Sequence, residues 1–456
     1  LAVADVNSDG LEDLYIGGAS GIPAQILIQD KKGQFSPSNI TLLDKEKPYE
    51  DVDALFVDLN GDAALDLYVV SGGNEYPSND FHYSDRVYLN DGRGNFTKGA
   101  IMGLARTSGS VVKAEDVDAD GDMDLFVAGR HVPHQYPSPA TSMLLINEGG
   151  QLVNKTESFA PEFKHLGMVT DALWTDYDAD GDPDLMLSGE WMPLTIFNNQ
   201  NGLLSKATIP SFENTAGWWF SLASADIDGD GDPDYLAGNL GLNYKYKTSP
   251  EKPFDVYYND FDGNNKYDIV LGYYNQDKHF PLRGFSCSSE QVPILKSTFK
   301  KYDVFASLQI EEVYGEENLK QSLHYETQTF ASHFIENLGN GQFALSPLPY
   351  QAQLSSINAF HIEDFNADGQ QDILAVGNLF VSEIETPRND AGVGLFLQGK
   401  SGNNLQSIPV AESGFYTPLD AKKMAKINIG GIAHILVANN NDRLQLFKIN
   451  STDILK

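Results

Sequence analysis

An acidic nine-residue loop recurs seven times along the chain, and each copy is followed by a short apolar run that reads as a β-strand. Oxygen ligands stand at loop positions 1, 3, 5 and 9 in every copy. The first three sets are Asp5, Asn7, Asp9 and Asp13; Asp58, Asn60, Asp62 and Asp66; and Asp116, Asp118, Asp120 and Asp124. The remaining four are Asp176, Asp178, Asp180 and Asp184; Asp226, Asp228, Asp230 and Asp234; Asp260, Asp262, Asn264 and Asp268; and Asp364, Asn366, Asp368 and Asp372. Alternate residues of a tight turn can aim their side chains at one centre. The carbonyl at position 7 (Leu11, Ala64, Asp122, Asp182, Asp232, Lys266, Gln370) can add another oxygen. Roughly six to seven oxygens suit Ca2+ better than Mg2+, and the absence of His and Cys from the set argues against zinc and copper there. Up to seven Ca2+ are expected, held most tightly in the third, fourth and fifth copies, where four Asp converge.

Position 6 is Gly in five copies, which suits a turn with positive φ. Asn265 tolerates that region, whereas Ala63 adopts it only at a cost of about 1 kcal/mol, so the second copy is expected to be the most distorted. The loop is not an EF-hand, because position 12 is apolar (Ile16, Val127, Leu187) and the flanks read as strands rather than helices. Asp-rich turns also occur without metal, but seven copies at one spacing argue against that reading.

The formal charge of −33 follows largely from these loops, whose 28 ligand positions hold 24 Asp and four Asn. Seven Ca2+ would bring −33 to −19, since each ion adds two charges. The residue of negative charge argues against nucleic acid and anionic membrane surfaces as partners. Without metal the carboxylates repel, so binding and stability are expected to be coupled. Cys287 is the single cysteine, which rules out an internal disulfide, and no apolar run is long enough for a membrane helix, so no direct membrane insertion is expected. Millimolar external Ca2+ would fill such loops, which favours a place outside the cytosol. An export signal or lipid anchor upstream of Leu1 is a further expectation, because the chain opens within what should be a first strand.

A second element trails the acidic loops: a strand, an Asn/Gly-rich turn, and another strand. Tyr88-Leu-Asn90-Asp-Gly, Leu145-Ile-Asn147-Glu-Gly, Ile196-Phe-Asn198-Asn-Gln-Asn-Gly202 and Ile335-Glu-Asn337-Leu-Gly339 carry it. The repeating unit is therefore four antiparallel strands, and the expected fold is an all-β propeller of four-stranded blades. Blades are expected over about 1–40, 50–100, 106–160, 168–212, 217–272, 278–350, 355–410 and 415–450, with a helical insertion near 289–323. Eight blades are favoured and seven also accommodate the pattern. The Asp260 loop falls where the hairpin between strands three and four of the fifth blade is expected.

The repeats resemble the FG-GAP/VCBS family, the calcium-loop blades also found in integrin α-subunits, over nearly the whole chain. The carriers are Asp-x-Asp-x-Asp-Gly-x-x-Asp-Leu at 116–125 and 176–185, its variant at 364–373, and Asp-Leu-Tyr-Ile-Gly-Gly at 13–18. More narrowly, Arg283-Gly-Phe-Ser-Cys287-Ser-Ser-Glu290, Thr329-Phe-Ala-Ser-His-Phe334 and Val437-Ala-Asn-Asn-Asn-Asp442 are similar to large VCBS-repeat exported proteins of Bacteroidota. The resemblance implies a propeller, calcium, and a location outside the cell or on the outer-membrane surface of a Gram-negative bacterium.

The acidic loops and the turns between strands three and four share one face. The other face collects the loops between strands two and three and the junctions between blades. Long loops on a rigid scaffold concentrate binding, and here they are rich in aromatic and polar groups. The candidate ligand-binding residues are Glu75, Tyr76, His131, His134, Tyr136, Glu190, Trp191, Trp218, Trp219, Asn243, Tyr244, Glu383 and Arg388. Packing between blades is the competing role, above all for Trp218 and Trp219. A non-catalytic surface module docking a glycan or an outer-membrane or surface protein is the favoured reading. A propeller glycosidase or lyase built on Glu75, Glu190 or Glu383 is the alternative, and a Cys287/His pair is weaker still. Two close, perturbed carboxylates in a loop-face cleft would favour the enzyme.

Overall fold

The second strand of each blade explains the architecture. Asp66–Ser71 and Asp124–His131 are almost continuously apolar beyond their first residue, and their central residues are fully buried on both faces. A strand buried on both faces must lie between two packed sheets. Successive side chains point to opposite sides, so Leu67 and Val69 pack towards the first blade while Tyr68 and Val70 pack towards the third.

The computed structural model describes residues 1–100, 105–383 and 385–450. It is a β-propeller of antiparallel four-stranded sheets, each wound from the axis outward in chain order. Eight sheets are present, and seven of them form the ring. The innermost strands are Ala2–Ala4, Asp51–Val57, Ser108–Glu115, Met168–Thr175, Ser221–Ala225, Ile357–Glu363 and Ala421–Ile429; they lie side by side in that order, and the last meets the first. Each junction has its own apolar cluster, and closure is carried by Leu14 against Ile427 and Leu436. Polar side chains tie neighbouring inner strands together. Asp53 accepts the Val112 amide at 3.2 Å, and Asp171 accepts the Leu222 amide at 2.8 Å. Blade seven contributes three strands among the described residues.

The eighth sheet explains why the blade count was open. The chain leaves blade five after Asp234–Gly238 and returns at His333–Asn337, which pairs directly with it. Between them a satellite sheet forms from Phe254–Asn259, Asp268–Asn275, Lys278–Pro281 and Leu323–Thr327. Five short helices from Phe285–Gln291 to Glu316–Lys320 cover one side of it, around Phe261, Val270, Leu295 and Phe305. Residues 217–272 and 278–350 therefore do not divide into two consecutive blades. Blade five takes strands from both, and the satellite sheet fills its loop between strands two and three. The Asp260 loop joins the first two satellite strands rather than replacing an outer hairpin of blade five. The helical insertion is present and begins four residues earlier than the sequence suggests, at Phe285 instead of 289.

Candidate metal centres and the loop face

Seven loops share one backbone conformation. Position 6 has positive φ in every copy, including Ala63 at 66° and Asn265 at 63°. Position 4 does so as well, at Ser8, Gly61, Ala119, Ala179, Gly229, Gly263 and Ala367. That second left-handed residue is not legible from composition, because Ala fills it three times. The two reversals let the position-1 carboxylate accept the amide of position 6 in all copies, from Gly10 to Asp5 at 2.8 Å through Gly369 to Asp364 at 2.8 Å. The side chain at position 5 likewise accepts the amide of position 7 throughout. Position 2 is buried and apolar (Val6, Leu59, Val117, Tyr177, Ile227, Phe261, Phe365) and anchors each loop in a core cluster.

The position-9 Asp is fully buried in six loops and nearly so in the satellite loop, and it is already hydrogen-bonded. Asp124 accepts the Val117 amide at 2.9 Å on one oxygen and the Asn147 amide at 2.8 Å on the other. Each carboxylate oxygen keeps a second lone pair for a cation. Burial, then the neighbouring loop carboxylates, raise these groups: Asp124, Asp234, Asp268 and Asp372 to about 6 and Asp184 to about 7. Asp13 and Asp66 shift the same way.

A hard cation fits this geometry. Carboxylate oxygens of Asp116, Asp118 and Asp124 lie within 4.8 Å of one another, as do those of Asp176, Asp178 and Asp184, of Asp226, Asp228 and Asp230, and of Asp260, Asp262 and Asp268. Ca2+–O bonds of about 2.3–2.6 Å place opposite ligands roughly 5 Å apart. Moreover, Asp118 Oδ1, Asp178 Oδ1 and Asp262 Oδ1 are buried at the loop centre with no hydrogen-bond partner. A cation at the loop centre would satisfy these acceptors and offset the like charges around them. In the first, second and seventh loops an Asn replaces the position-3 carboxylate, which lowers the local charge.

The Asn/Gly turns have a role beyond hairpin chemistry. Asn147, whose backbone amide serves Asp124, also sends its side chain into the preceding blade, where Nδ2 donates to Leu59 O at 3.1 Å. Asn90 donates to Val6 O at 2.7 Å, Asn199 to Val117 O at 2.9 Å and Asn337 to Tyr177 O at 2.9 Å. Every acceptor is the position-2 carbonyl of a neighbouring acidic loop. At the ring closure Gln29 plays the same part, donating to Asn428 O at 2.9 Å. In the fourth copy this residue is Asn199 rather than the adjacent Asn198.

On the opposite face the candidate residues fall into three groups. In the first, Arg130 pairs with Glu190, Tyr136 donates to Glu190 at 3.1 Å, and the Trp191 indole donates to Tyr136 at 2.8 Å. Burial, followed by the Arg130 charge, lowers His131 to about 4. Trp191 is 4% exposed, stacks on Phe254 of the satellite sheet and meets Trp218 edge-on. Trp219 is fully buried and donates to Thr215 O at 2.9 Å. In the second group, His134 lies 3.0 Å from Tyr76 O, Tyr76 stacks on His82, and Glu75 is exposed. In the third, Tyr244 donates to Ser382 at 3.2 Å, Asn243 to Leu354 O at 3.2 Å, and Glu383 accepts Thr386 and faces Arg283. Arg388 lies over Phe380 nearby.

This corrects the view of these aromatics as exposed anchors. Trp191, Trp218, Trp219 and Tyr244 pack between blades and against the satellite sheet, so their truncation would cost stability first. The inserted sheet is what covers Trp191, Trp218 and Tyr244, which a local sequence pattern does not reveal, whereas Trp219 is enclosed between blades four and five. The exposed apolar groups on this face include instead Phe81, Leu242 and Val381. The carboxylates singled out for catalysis are also engaged. Glu190 and Glu383 are held by Arg130 and Arg283, and Glu75 is hydrogen-bonded to Glu50, whose pKa is raised by burial and by Glu75. Glu50 went unnoticed in the sequence because it lies at a blade junction without a motif.

An FG-GAP-like repeat model matches residues 5–69, 58–127 and 176–237. Each matched segment spans two successive acidic loops, and over those segments the chain is similar to the FG-GAP family. No curated protein matches the chain. Among solved structures, BBS1N in complex with ARL6DN aligns at 11% identity over 99% of this chain and 92% of that one, with a TM-score of 0.46. The Dos1 propeller aligns at 11% identity over 98% and 88%, with a TM-score of 0.37. The V. cholerae biofilm matrix protein Bap1 aligns at 11% identity over 99% and 87%, also at 0.37. At these scores the likenesses bear on neither chemistry nor partner. No helix among the described residues is long and apolar enough to cross a membrane.

Proposed function

We propose that the chain is a calcium-stabilised, non-catalytic binding or assembly module that works outside the cytosol, at or beyond a bacterial cell surface. A glycan or a surface protein is its partner, engaged through the loops between strands two and three and the blade junctions. The observation that carries this reading is the asymmetry of the two faces. One face repeats a single acidic loop, while the other holds every elaborated loop and supports the whole satellite sheet. Exposed Phe81, Leu242, Val381 and Arg388 give that face the mixed apolar and polar character of a recognition surface.

One observation favours the enzyme instead, namely the hydrogen-bonded Glu50–Glu75 pair. Glycosidase carboxyls stand about 5–5.5 Å or 6.5–9.5 Å apart, wider than a hydrogen bond. A glycan array probed with calcium-loaded protein tests the proposal. Phe81→Ala and Val381→Ser should weaken the bound signal at least tenfold and leave the fold intact. Full binding by both variants, or release of reducing ends that Glu75→Gln abolishes, would overturn it.

A further inference from the structure

The satellite sheet holds a second polar cluster, unlike the acidic loops in chemistry and place. Asp255 and Glu326 are directly paired across two strands, and Tyr257 is paired with His324 two residues on, so all four project from one face. Tyr274 and His279 are paired on the same face from the other side. Asp255 is almost fully buried, and each of its oxygens meets one imidazole: His279 Nε2 at 3.0 Å and His324 Nε2 at 3.3 Å. His324 Nε2 also lies 3.9 Å from Glu326 Oε1.

Three features show that the arrangement is built. Both imidazoles are clamped by stacked tyrosines, His324 on Tyr257 at 4.1 Å and 7°, and His279 on Tyr274 at 4.6 Å and 8°. Gly272 lies between Asp255 and His279 in a regular strand where conformation asks for no glycine. A Cβ there would collide with Asp255 Oδ1 and His279 Nε2. Finally, Glu311, from the helix Ile310–Tyr314, faces His279 Nδ1 at 3.5 Å. With Nδ1–H on the Glu311 carboxylate, Nε2 faces the Asp255 carboxylate, and that contact needs a positive charge between the two, a metal ion or a proton.

We propose that Asp255, His279, His324 and Glu326 form a binding site for one borderline divalent ion such as Zn2+, with Glu311 orienting His279. Zn–N and Zn–O bonds of about 2.0–2.2 Å put neighbouring ligands of a tetrahedron roughly 3.3–3.6 Å apart; Asp255, His324 and Glu326 present ligand atoms within 4.8 Å of one another, and His279 Nε2 lies 3.0 Å from the other Asp255 oxygen. The ligands suit imidazole-preferring metals, whereas the acidic loops offer only oxygen. A carboxylate behind a metal-bound histidine fixes its tautomer. Glu326 and His324 are partly exposed, so the ion has a way in. The competing arrangement is a proton held on His279 by Asp255, and the experiment separates the two.

Full-length protein saturated with Ca2+, so that the acidic loops are filled, is titrated with Co2+ and then Zn2+. One Co2+ per chain should bind with an intense visible ligand-field band, and one equivalent of Zn2+ should displace it. X-ray absorption of the zinc form should report two imidazoles. His279→Gln and His324→Gln should each lose the band and the stoichiometric uptake, while Glu251→Gln, at an exposed carboxylate just before the first strand of the same sheet, should keep both. Zinc should also raise the melting temperature of the wild type and not of either histidine variant, which guards against variants that merely fold poorly. Uptake no greater than that of the double histidine variant, or a zinc shell without imidazole, would overturn the proposal and leave the cluster as an ion triad.

Discussion

Metal-free protein should lose stability as the pH rises from about 4 to 7, and Ca2+ should reverse the loss. Asp124, Asp184, Asp234, Asp268 and Asp372 are all buried, and their carboxyls are raised from 3.8 to about 6 or, for Asp184, about 7. A carboxyl whose folded pKa lies above its unfolded value binds protons more tightly when folded. Its contribution is fully present below the unfolded value and disappears as pH climbs through the folded one. Two to three units correspond to about 3–4 kcal/mol per group, and screening by water at the loop mouths roughly halves that. Five such groups amount to several kcal/mol, comparable with the whole stability of an ordinary domain, about 5–15 kcal/mol. Calcium binds the ionised form and removes the penalty, so its benefit should grow with pH. Other groups, such as Asp53 and Glu363, have lowered pKa values and the opposite slope, so the informative quantity is the difference between matched samples. Melting temperatures of dialysed metal-free protein with and without Ca2+ should diverge between pH 5 and 7.5. A gap that stays constant or narrows over that interval would refute the reasoning.

The staples and packing make sharper local predictions. Asn199→Ala should cost about 1–3 kcal/mol, because it strands the buried Val117 carbonyl at the blade junction; calorimetry reads this directly. Trp191→Ala should cost about 3–5 kcal/mol and lower the melting temperature whether or not a partner is present, whereas Phe81→Ala should leave the melt unchanged. Ala63→Gly relieves a left-handed Ala worth about 1–2 kcal/mol but loosens the unfolded chain, so chemical denaturation should show a net gain of under about 1 kcal/mol.

The acidic loops and their strands were legible because they are local. Nine residues fix the turn, the ligand spacing and the apolar anchor, and the position-6 glycines announce one of the two reversals. The near-continuous apolar second strands likewise report sheets buried on both faces, and the four-strand repeat reports blades. Three things depended on tertiary structure. The pairing of Gly238's strand with that of His333 spans a whole inserted sheet, which carries its own acidic loop at Asp260 and so imitates a blade. Trp191 and Tyr244 look like exposed loop aromatics until that sheet covers them. The meeting of Asp255, His279 and His324 comes from strand register alone, since 69 positions separate Asp255 from His324. Short-range propensity is written residue by residue, but which distant strands share an edge is decided by the burial available to the folded whole.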